Sequence, residues 1–500
     1  MFKKFCRGFY YNHIYHNKKL ILGIETSCDD TSLALLTYPD GDIIGTSHKS
    51  QQAFHSFTGG INPIFARDFH EINIEKCFSE IEIKLINYLK SQNIYISNDN
   101  YHIWKNLMAI AVTTKPGLPL SLEIGIETAK RISSLVMPPI PIIPIHHMEA
   151  HALTPRIPET VSNLSPKNQL KFPYLCLLIS GGHCLLVWVK DVSDFYIIGN
   201  TKDIAPGDAY DKISRKLGLN YDMRFNGMSG GKSIDTIISN ISNNLKIKNN
   251  IINPMSNYVS CDFSFNGLLS TFLNLIDQCQ LKYKNECDDF ISDDYNESPI
   301  IKNNSFVEYY KKQLNGITNY QDYSKNSLYI QNLYDFSKAL IATYFQQILT
   351  EHIMQKTIRA FVYCEKHLIP FINEVPVYNF AVSGGVASNN YIRTSLQKLC
   401  QTWKWNLHIP DPELCTDNGV MIAWNAIEKI KSLTNKNQNI CDYDLLIKKI
   451  NEFVPDLNIQ NKSSFGISIV EDVTIANLKN RIIKSHMLDK NNIQKIMKVE

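Results

Sequence analysis

Residues 20–36 read LILGIETSCDDTSLALL, and this stretch decides how the chain folds. A mostly apolar run leads into a short polar turn and a second apolar run, which predicts a β-hairpin. Residues 174–189, YLCLLISGGHCLLVWV, repeat the same arrangement. Each copy is followed by a segment with helical periodicity, at 65–89 and at 208–217. The repeat predicts two related α/β lobes with a cleft between them.

The size and composition of the chain agree with two lobes. A chain of 500 residues, 44% of them hydrophobic and 20% charged, exceeds what one hydrophobic core usually fills. Its longest apolar stretches, 135–145 and 174–189, are interrupted by prolines and by a Gly-Gly-His turn, so neither predicts a membrane span. Twelve cysteines without a Cys-x-x-Cys pair favour free thiols in a reducing compartment.

The formal net charge of +3 conceals an uneven distribution of charge. The first 20 residues hold five of the 51 basic residues, no acidic residue and several aromatic ones. This pattern, without the apolar block of a secretory signal, is typical of an organellar presequence, and a disordered basic tail is the alternative. The rest of the chain is then slightly acidic, so bulk charge does not indicate a nucleic-acid partner.

The basic leader, the repeated hairpin and the composition of the later segments together divide the chain into four parts. We expect a mitochondrial presequence at 1–19, a first lobe at 20–150, a second lobe at 151–431 and an extension at 432–500 that packs back on the first lobe. Within the second lobe, residues from about 280 to 330 are rich in Asn, Asp, Tyr and Lys, which predicts a polar surface insertion.

The sequence HHMEAH at 146–151 is the sharpest chemical signal. His147 and His151 are four residues apart, so in a helix they share one face and could bind one metal ion. A solvated or capping pair explains the spacing equally well. In zinc peptidases a glutamate directly follows the first histidine, whereas Glu149 is two residues after His147 and about 200° around the helix, which excludes that class.

Other polar signals are weaker. The glycine turns at 180–182 and 383–385 follow apolar strands and could hold phosphate, although each is also explained as a tight turn. Asp211, in an amphipathic helix, could accept ribose hydroxyls, with a surface salt bridge as the alternative. Cys28, beside Asp29, is better explained as a buried turn thiol than as a nucleophile.

Eight segments together resemble the TsaD-like family, the tRNA N6-adenosine threonylcarbamoyltransferases. In chain order they are GIETSCDDTS (23–32), KPGLPLSLEIG (115–125), HHMEAH (146–151), LLISGGHCLL (177–186), GDAYDKISRKLGL (207–219), FSFNGLLS (263–270), FAVSGGVASNNYIR (380–393) and CTDNGVMIAW (415–424). The basic leader and Lys115 favour the mitochondrial (OSGEP-like) branch. The resemblance implies an actin-like, sugar-kinase-type α/β fold (ASKHA) of two duplicated lobes.

The resemblance also implies an activity. It is an acyltransferase reaction, in which the threonylcarbamoyl group passes from threonylcarbamoyl-AMP to N6 of adenosine 37 in tRNAs that read codons starting with A. The product is N6-threonylcarbamoyladenosine, made in the mitochondrion. The implied partners are tRNA, a separate threonylcarbamoyl-AMP synthase and a second copy of the chain in a homodimer, and no membrane is implied.

The site residues implied by the resemblance fall into two sets. The implied ligands of one divalent metal ion per subunit, iron or zinc, are His147, His151 and Asp417. The implied substrate-binding residues are Leu178, Ile179, Ser180, Gly181, Gly182, Asp211, Gly231 and Asn389. No nucleophile is implied, so the tRNA amine would attack directly. Asp208 and Leu269 depart from the family's usual Glu and Lys.

Two other classes of function remain open from the sequence alone. An actin-like small-molecule kinase would use the glycine turns, but HHMEAH has no obvious role in such an enzyme. A non-enzymatic RNA-binding or scaffold protein would explain the departures from the family pattern at Lys115, Asp208 and Leu269.

Overall fold

The computed structural model describes residues 20–94, 100–158, 170–239, 255, 258–289, 327–371, 378–435 and 457–478. The presequence predicted at 1–19 lies outside the described residues, as does most of the predicted insertion. The two ends of that insertion are helical, since 280–289 continues one helix and 327–330 begins the next.

The first lobe is built on a five-stranded sheet that contains the hairpin predicted at 20–36. Its strands are β1 (Leu20–Glu25), β2 (Asp30–Thr37), β3 (Ile43–Ser50), β4 (Leu107–Lys115) and β5 (Ile142–His146). In the order β3-β2-β1-β4-β5, the first three strands are antiparallel, while β4 and β5 run parallel to β1. β1 is buried at every position, which is why it reads as a continuous apolar run.

The second lobe repeats this sheet. Its strands are β6 (Tyr174–Ile179), β7 (Cys184–Asp191), β8 (Asp194–Asn200), β9 (Asn379–Ser383), β10 (Asn406–His408) and β11 (Ile467–Ser468). The order β8-β7-β6-β9-β10 has the same pattern of antiparallel and parallel neighbours as the first sheet, with β11 added beside β8. The predicted duplication and the actin-like α/β fold class are thereby confirmed.

Helices connect the strands and cover the sheets. In the first lobe they are α1 (Gln52–Thr58), α2 (Pro63–Ser91), α3 (Pro119–Ser133) and α4 (His147–Leu153). They are followed by α5 (Pro206–Lys216), α6 (Gly230–Ser239), α7 (Asn266–Asp289), α8 (Ser327–Tyr363), α9 (Asn390–Trp403), α10 (Pro412–Cys415), α11 (Gly419–Asn435) and α12 (Val470–Ile475). Within the described part of the chain, no helix has the length and apolar character needed to cross a bilayer.

Helix α11 packs on the first sheet, although the boundary expected at 431 would place it in the second lobe. It lies against β1 and β2, and a Cβ on Gly23 would be only 2.1 Å from the carbonyl oxygen of Gly419. Two facing glycines permit this approach because neither presents a side chain. The chain therefore returns to the first lobe before residue 431, and the loop that carries Asp417 comes with it.

The described part of the C-terminal extension joins the two sheets. The N–H of Gln460 donates to the carbonyl oxygen of Thr114 in β4, at 3.2 Å. Gly466, at φ 68°, then turns the chain, and β11 pairs in parallel with β8. Val473 is buried in the core of the second lobe. The prediction that this extension packs on the first lobe is wrong for the residues after Gly466, which join the second sheet and the core of the second lobe.

Candidate metal centre and substrate cleft

Strand β5 and helix α4 place the two predicted histidine ligands. β5 ends at His146, whose ring caps the start of α4. His147 and His151 follow on one face of the helix, with 8% and 1% of their surface exposed. The carboxylate of Glu149 lies 2.9 Å from Nζ of Lys429, so it pairs with α11 and not with the histidines.

Asp417 reaches the same point from the loop before α11. Its Oδ1 atom lies 3.0 Å from Nε2 of His151 and 3.4 Å from Nε2 of His147. Asn418 holds the loop because its Oδ1 atom accepts a hydrogen bond from the N–H of Met421. Two imidazole nitrogens and one carboxylate oxygen thus converge within 4.8 Å of one another.

This set of donors fits a divalent metal ion. Two histidines and one carboxylate suit iron or zinc and leave coordination positions open for substrate oxygens. Both ring nitrogens that face Asp417 are Nε2 atoms, so the two rings point at one spot. The group of His147, His151 and Asp417 could therefore hold an ion.

The charges at this centre are strongly coupled. Burial raises the pKa of Asp417, but His147 and His151 outweigh burial and hold this pKa well below its usual range. Burial lowers the pKa of His147, but Asp417 and Glu25 outweigh it and raise this pKa to about 9. Because a protonated imidazole cannot bind a metal, metal binding here must displace a proton and weakens as pH falls.

Glu25 also belongs to this centre, although the sequence analysis did not predict it as a site residue. It ends β1, is fully buried, and its Oε2 atom lies 3.2 Å from Nδ1 of His147. Its oxygens also accept from the hydroxyl of Thr113 and from the N–H of Ser27, both at 2.6 Å. An acidic side chain at the end of a buried apolar strand needs polar partners in the interior. The position of Glu25 directly after the apolar run was therefore the sequence signal that could have revealed its role.

The turn after β1 borders the metal centre and carries two acids and a thiol. Burial, Asp30 and Asp417 raise the pKa of Asp29 to about 7. Burial, with Asp29 and Asp417, raises the pKa of the Cys28 thiol well above its ordinary value, so the thiol stays protonated. His70 of α2 holds the turn through a hydrogen bond of 3.0 Å to the carbonyl oxygen of Cys28. These surroundings fit the prediction of a turn thiol.

In the second lobe, the turn between β6 and β7 lies close to the metal centre. Burial and the two histidines of α4 lower the pKa of His183 to about 4, which reflects their proximity. The N–H of His183 donates to Oγ of Ser180 at 3.1 Å and closes the turn. Gly181 and Gly182 are exposed, and a Cβ on either would meet nothing within 4 Å. Open space therefore lies beside their backbone.

Leu178 and Ile179, predicted to bind substrate, present no side chain to this space. They belong to β6, are 1% and 0% exposed, and pack into hydrophobic cores. The carbonyl oxygen of Ile179 faces Gly384, where φ is 99° and a Cβ would come within 2.3 Å of that oxygen. Any contribution of these two residues to ligand binding therefore goes through the backbone.

Asp211 lies against Gly230, the residue before Gly231, because α5 and α6 pack together. Oδ1 of Asp211 accepts from the N–H of Gly230 at 2.8 Å, and a Cβ on Gly230 would lie 2.5 Å from that oxygen. Burial raises the pKa of Asp211 above its ordinary value. Among the described residues only Oδ1 accepts a hydrogen bond, which leaves Oδ2 for a ligand hydroxyl.

Asn389, the remaining predicted substrate contact, is turned inward. Its Oδ1 atom caps α9, and its amide donates to Oδ1 of Asp235 at 2.7 Å and to Oε1 of Gln346 at 2.9 Å. With both amide hydrogens engaged, Asn389 orients Asp235 instead of presenting a free donor. Burial raises the pKa of Asp235 to about 6. Asp235 follows Gly231 by one helical turn, a spacing that could have revealed it in the sequence.

The two departures from the family pattern have local explanations. Asp208 pairs with Lys212 one helical turn later, with 2.7 Å between Oδ2 and Nζ. Leu269 is 4% exposed within the core of the second lobe, where a lysine would bury a charge. Both residues are thus accommodated by their neighbours in this chain.

The sequence is similar to one protein family and to individual proteins that carry its name. The TsaD family, tRNA N6-adenosine threonylcarbamoyltransferase, matches residues 42–424. The mouse protein named tRNA N6-adenosine threonylcarbamoyltransferase, mitochondrial, is 36% identical over 92% of this chain and 89% of its own length. The human protein of that name is 37% identical over 83% of this chain and 81% of its own. A tRNA N6-adenosine threonylcarbamoyltransferase of Rickettsia akari is 30% identical over 84% of this chain and 96% of its own. The chain therefore belongs to the TsaD family of tRNA N6-adenosine threonylcarbamoyltransferases, which are acyltransferases.

Proposed function

We propose that this chain transfers the threonylcarbamoyl group from threonylcarbamoyl-AMP to N6 of adenosine 37 in mitochondrial tRNAs that read codons starting with A. The product is N6-threonylcarbamoyladenosine. The observation that carries the proposal is the convergence of His147, His151 and Asp417 close to the open turn at Gly181 and Gly182. An adenylate held by the second lobe would present its acyl end to the metal centre.

The second lobe offers the groups that an adenylate needs. Asp211 has a carboxylate oxygen for the ribose hydroxyls. The backbone N–H groups of Gly181 and Gly182 can approach a phosphate closely because no side chain intervenes. Asp235, held by Asn389, adds a second carboxylate one helical turn after Gly231 in α6.

The chemistry is an acyl transfer between a mixed anhydride and an amine. A divalent ion, iron or zinc, held by the two histidines and Asp417 would supply Lewis-acid stabilisation of negative charge on the threonylcarbamoyl group. The residues of the cleft hold the adenylate so that the amine of the adenosine reaches the carbamoyl carbon. The C–N bond forms, N6 releases one of its two protons to solvent, the C–O bond to the phosphate breaks, and AMP leaves with that electron pair. The N–H groups of the glycine turn stabilise the leaving phosphate, and the protonated Cys28 favours transfer without a covalent enzyme intermediate.

The test is modification of a mitochondrial tRNA transcript by the purified, metal-loaded protein supplied with threonylcarbamoyl-AMP. We expect the modified nucleoside in a nuclease digest, and none when adenosine 37 is replaced by guanosine. His147→Ala should weaken metal binding strongly and abolish activity, because it removes one of three ligands and leaves two. His367→Ala, at an exposed histidine outside the centre, should retain both.

The outcomes separate the classes of function. Failure with a cognate transcript, while the human relative succeeds under the same conditions, would contradict the proposed transfer. Phosphorylation of a sugar or acid by ATP would indicate a small-molecule kinase instead. Bound metal and full activity in His147→Ala would refute the metal centre.

We further propose that residues 1–19 direct the protein to mitochondria and that a separate synthase supplies the adenylate. The mouse and human relatives carry the word mitochondrial in their names, which supports this location. A fluorescent protein fused to residues 1–19 should be imported into mitochondria, and a fusion with the basic residues replaced by glutamine should not.

We also propose that two copies associate through α2. Phe65, Ile72 and Ile83 are between 46% and 59% exposed, and their spacing puts them in one stripe along the helix. A second copy would remove this apolar surface from water. Light scattering should give twice the chain mass for the wild type and the single mass for Ile72→Glu. Ile475→Glu, at an isoleucine that is 78% exposed elsewhere, should leave the dimer intact.

A further inference from the structure

We infer that Glu25 is a positioning residue of the metal centre, because its carboxylate determines which ring nitrogen of His147 carries a hydrogen and which is free to bind the ion. The inference rests on the proposed metal centre. It adds a residue that is not a ligand but acts through one.

Glu25 and Asp417 lie on opposite sides of one imidazole ring. Oε2 of Glu25 is 3.2 Å from Nδ1 of His147, and Oδ1 of Asp417 is 3.4 Å from Nε2 of the same ring. Glu25 is 0% exposed, so bulk solvent does not reach its carboxylate. The ring is therefore held between a carboxylate on the side of β1 and the converging ligands on the other side.

The direction of the hydrogen bond follows from the chemistry of the two groups. An ionised carboxylate can only accept, so the nitrogen that faces Glu25 must carry the hydrogen. In a neutral imidazole the other nitrogen then has a free lone pair, and this is the Nε2 atom that points toward Asp417. Carboxylates that bind a ligating histidine in this way fix both its tautomer and the orientation of its ring.

The carboxylate of Glu25 is itself held by the backbone and by β4. The N–H of Ser27 donates to Oε1, and the hydroxyl of Thr113 donates to Oε2, both at 2.6 Å. These two donors place the carboxylate independently of the metal ligands. Glu25 is thus a preformed part of the first sheet against which His147 docks.

Ser27 is the competing partner of this ring. Its Oγ atom also lies 3.2 Å from Nδ1 of His147. A hydroxyl can donate or accept, so Ser27 alone would allow either tautomer, whereas Glu25 allows one. The two residues can therefore be distinguished by substitution.

His151 has no equivalent of Glu25. Its Nε2 atom faces Asp417, but within the described ranges its buried Nδ1 atom has no hydrogen-bond partner. Glu25 consequently acts on one histidine of the pair, and its effect should disappear when that histidine is removed.

The decisive variant is Glu25→Gln, which keeps the shape of the side chain. If the amide oxygen keeps the hydrogen bond from Ser27, the amide nitrogen faces Nδ1 of His147 and donates to it. The hydrogen of the ring then moves to Nε2 and blocks the nitrogen that would bind the ion. We expect about 10–100-fold weaker Zn²⁺ binding in competition with a chelator. The Co²⁺-loaded protein should show a changed d–d absorption spectrum, and the circular dichroism spectrum without metal should match that of the wild type.

Three further measurements distinguish this role from a structural one. Ser27→Ala, which keeps the backbone donor to Glu25, should retain the Zn²⁺ affinity of the wild type. Thr113→Val, which loosens the carboxylate without replacing it, should weaken Zn²⁺ binding. In a His147→Ala background, Glu25→Gln should cause no additional loss of Zn²⁺ binding.

Two results would overturn the inference. One is equal Zn²⁺ affinity in the wild type, Glu25→Gln and Thr113→Val. The other is a full additional loss of affinity from Glu25→Gln when His147 is already absent. Wild-type protein that fails to bind Zn²⁺ would refute the proposed metal centre itself, which is a separate result.

Discussion

Replacement of Gly23 by alanine tests how strongly the metal centre depends on the contact between β1 and α11. A Cβ on Gly23 would lie 2.1 Å from the carbonyl oxygen of Gly419 and 2.6 Å from the backbone nitrogen of Ala423. Carbon and oxygen atoms that are not bonded stay more than about 3 Å apart, so β1 and α11 must separate by roughly 1 Å. Asp417 is two residues before α11 and moves with the start of that helix.

This displacement is large for a metal site, in which ligand distances stay within about 0.2 Å of their preferred values. We therefore expect Gly23→Ala to lose Zn²⁺ to a chelator that the wild-type protein resists. Overpacking of this kind costs about 1–3 kcal/mol of unfolding free energy. With an unfolding entropy of about 2.1 cal/mol/K per residue in a chain of 500 residues, the melting temperature should fall by about 1–3 °C.

Zn²⁺ retention and the circular dichroism melt are measured on the same preparations. Gly267→Ala is the matched control, because a Cβ on Gly267 would meet nothing within 4 Å and alanine favours the helix. An unchanged melting temperature of Gly23→Ala would refute the steric argument. A lowered melting temperature with wild-type Zn²⁺ retention would refute the link from α11 to Asp417.

Three further changes have defined outcomes. Asp211→Asn should weaken adenylate binding about tenfold in calorimetry, because the ribose loses a charged acceptor; unchanged affinity would argue against this role. Asp235→Asn removes a carboxyl whose pKa is raised by burial from 3.8 to about 6. The folded wild type holds this proton more tightly than the unfolded chain. As pH rises from 3.8 to about 6, the wild type therefore loses stability relative to the variant, and above this range the difference stays constant. Melting temperatures of the two proteins that run parallel across this range would disprove the assignment. Phe465→Ala should lower the unfolding free energy by about 3–5 kcal/mol, because the ring is 6% exposed between His146 and Phe195. A loss below about 1 kcal/mol in urea would show that this segment does not hold the sheets together.

The hairpins and the histidine pair could be predicted from local patterns. An apolar run, a polar turn and a second apolar run specify a hairpin through residues that are neighbours along the chain. The helical period likewise puts His147 and His151 on one face before any tertiary contact is known. Asp417 was found through family resemblance alone, because no local pattern relates it to the histidines.

Tertiary structure alone decided which distant residues meet. Glu25 and His147 are 122 residues apart, and His151 and Asp417 are 266 residues apart. The close approach of Gly23 and Gly419 brings α11 onto the first sheet, against the boundary expected from composition. The sequence by itself determined the elements and one pair of ligands, because hydrogen bonding and periodicity act over a few residues. The complete centre forms only when the lobes pack. Packing brings side chains together according to the shape of the surfaces that are buried, whatever the separation of the residues along the chain.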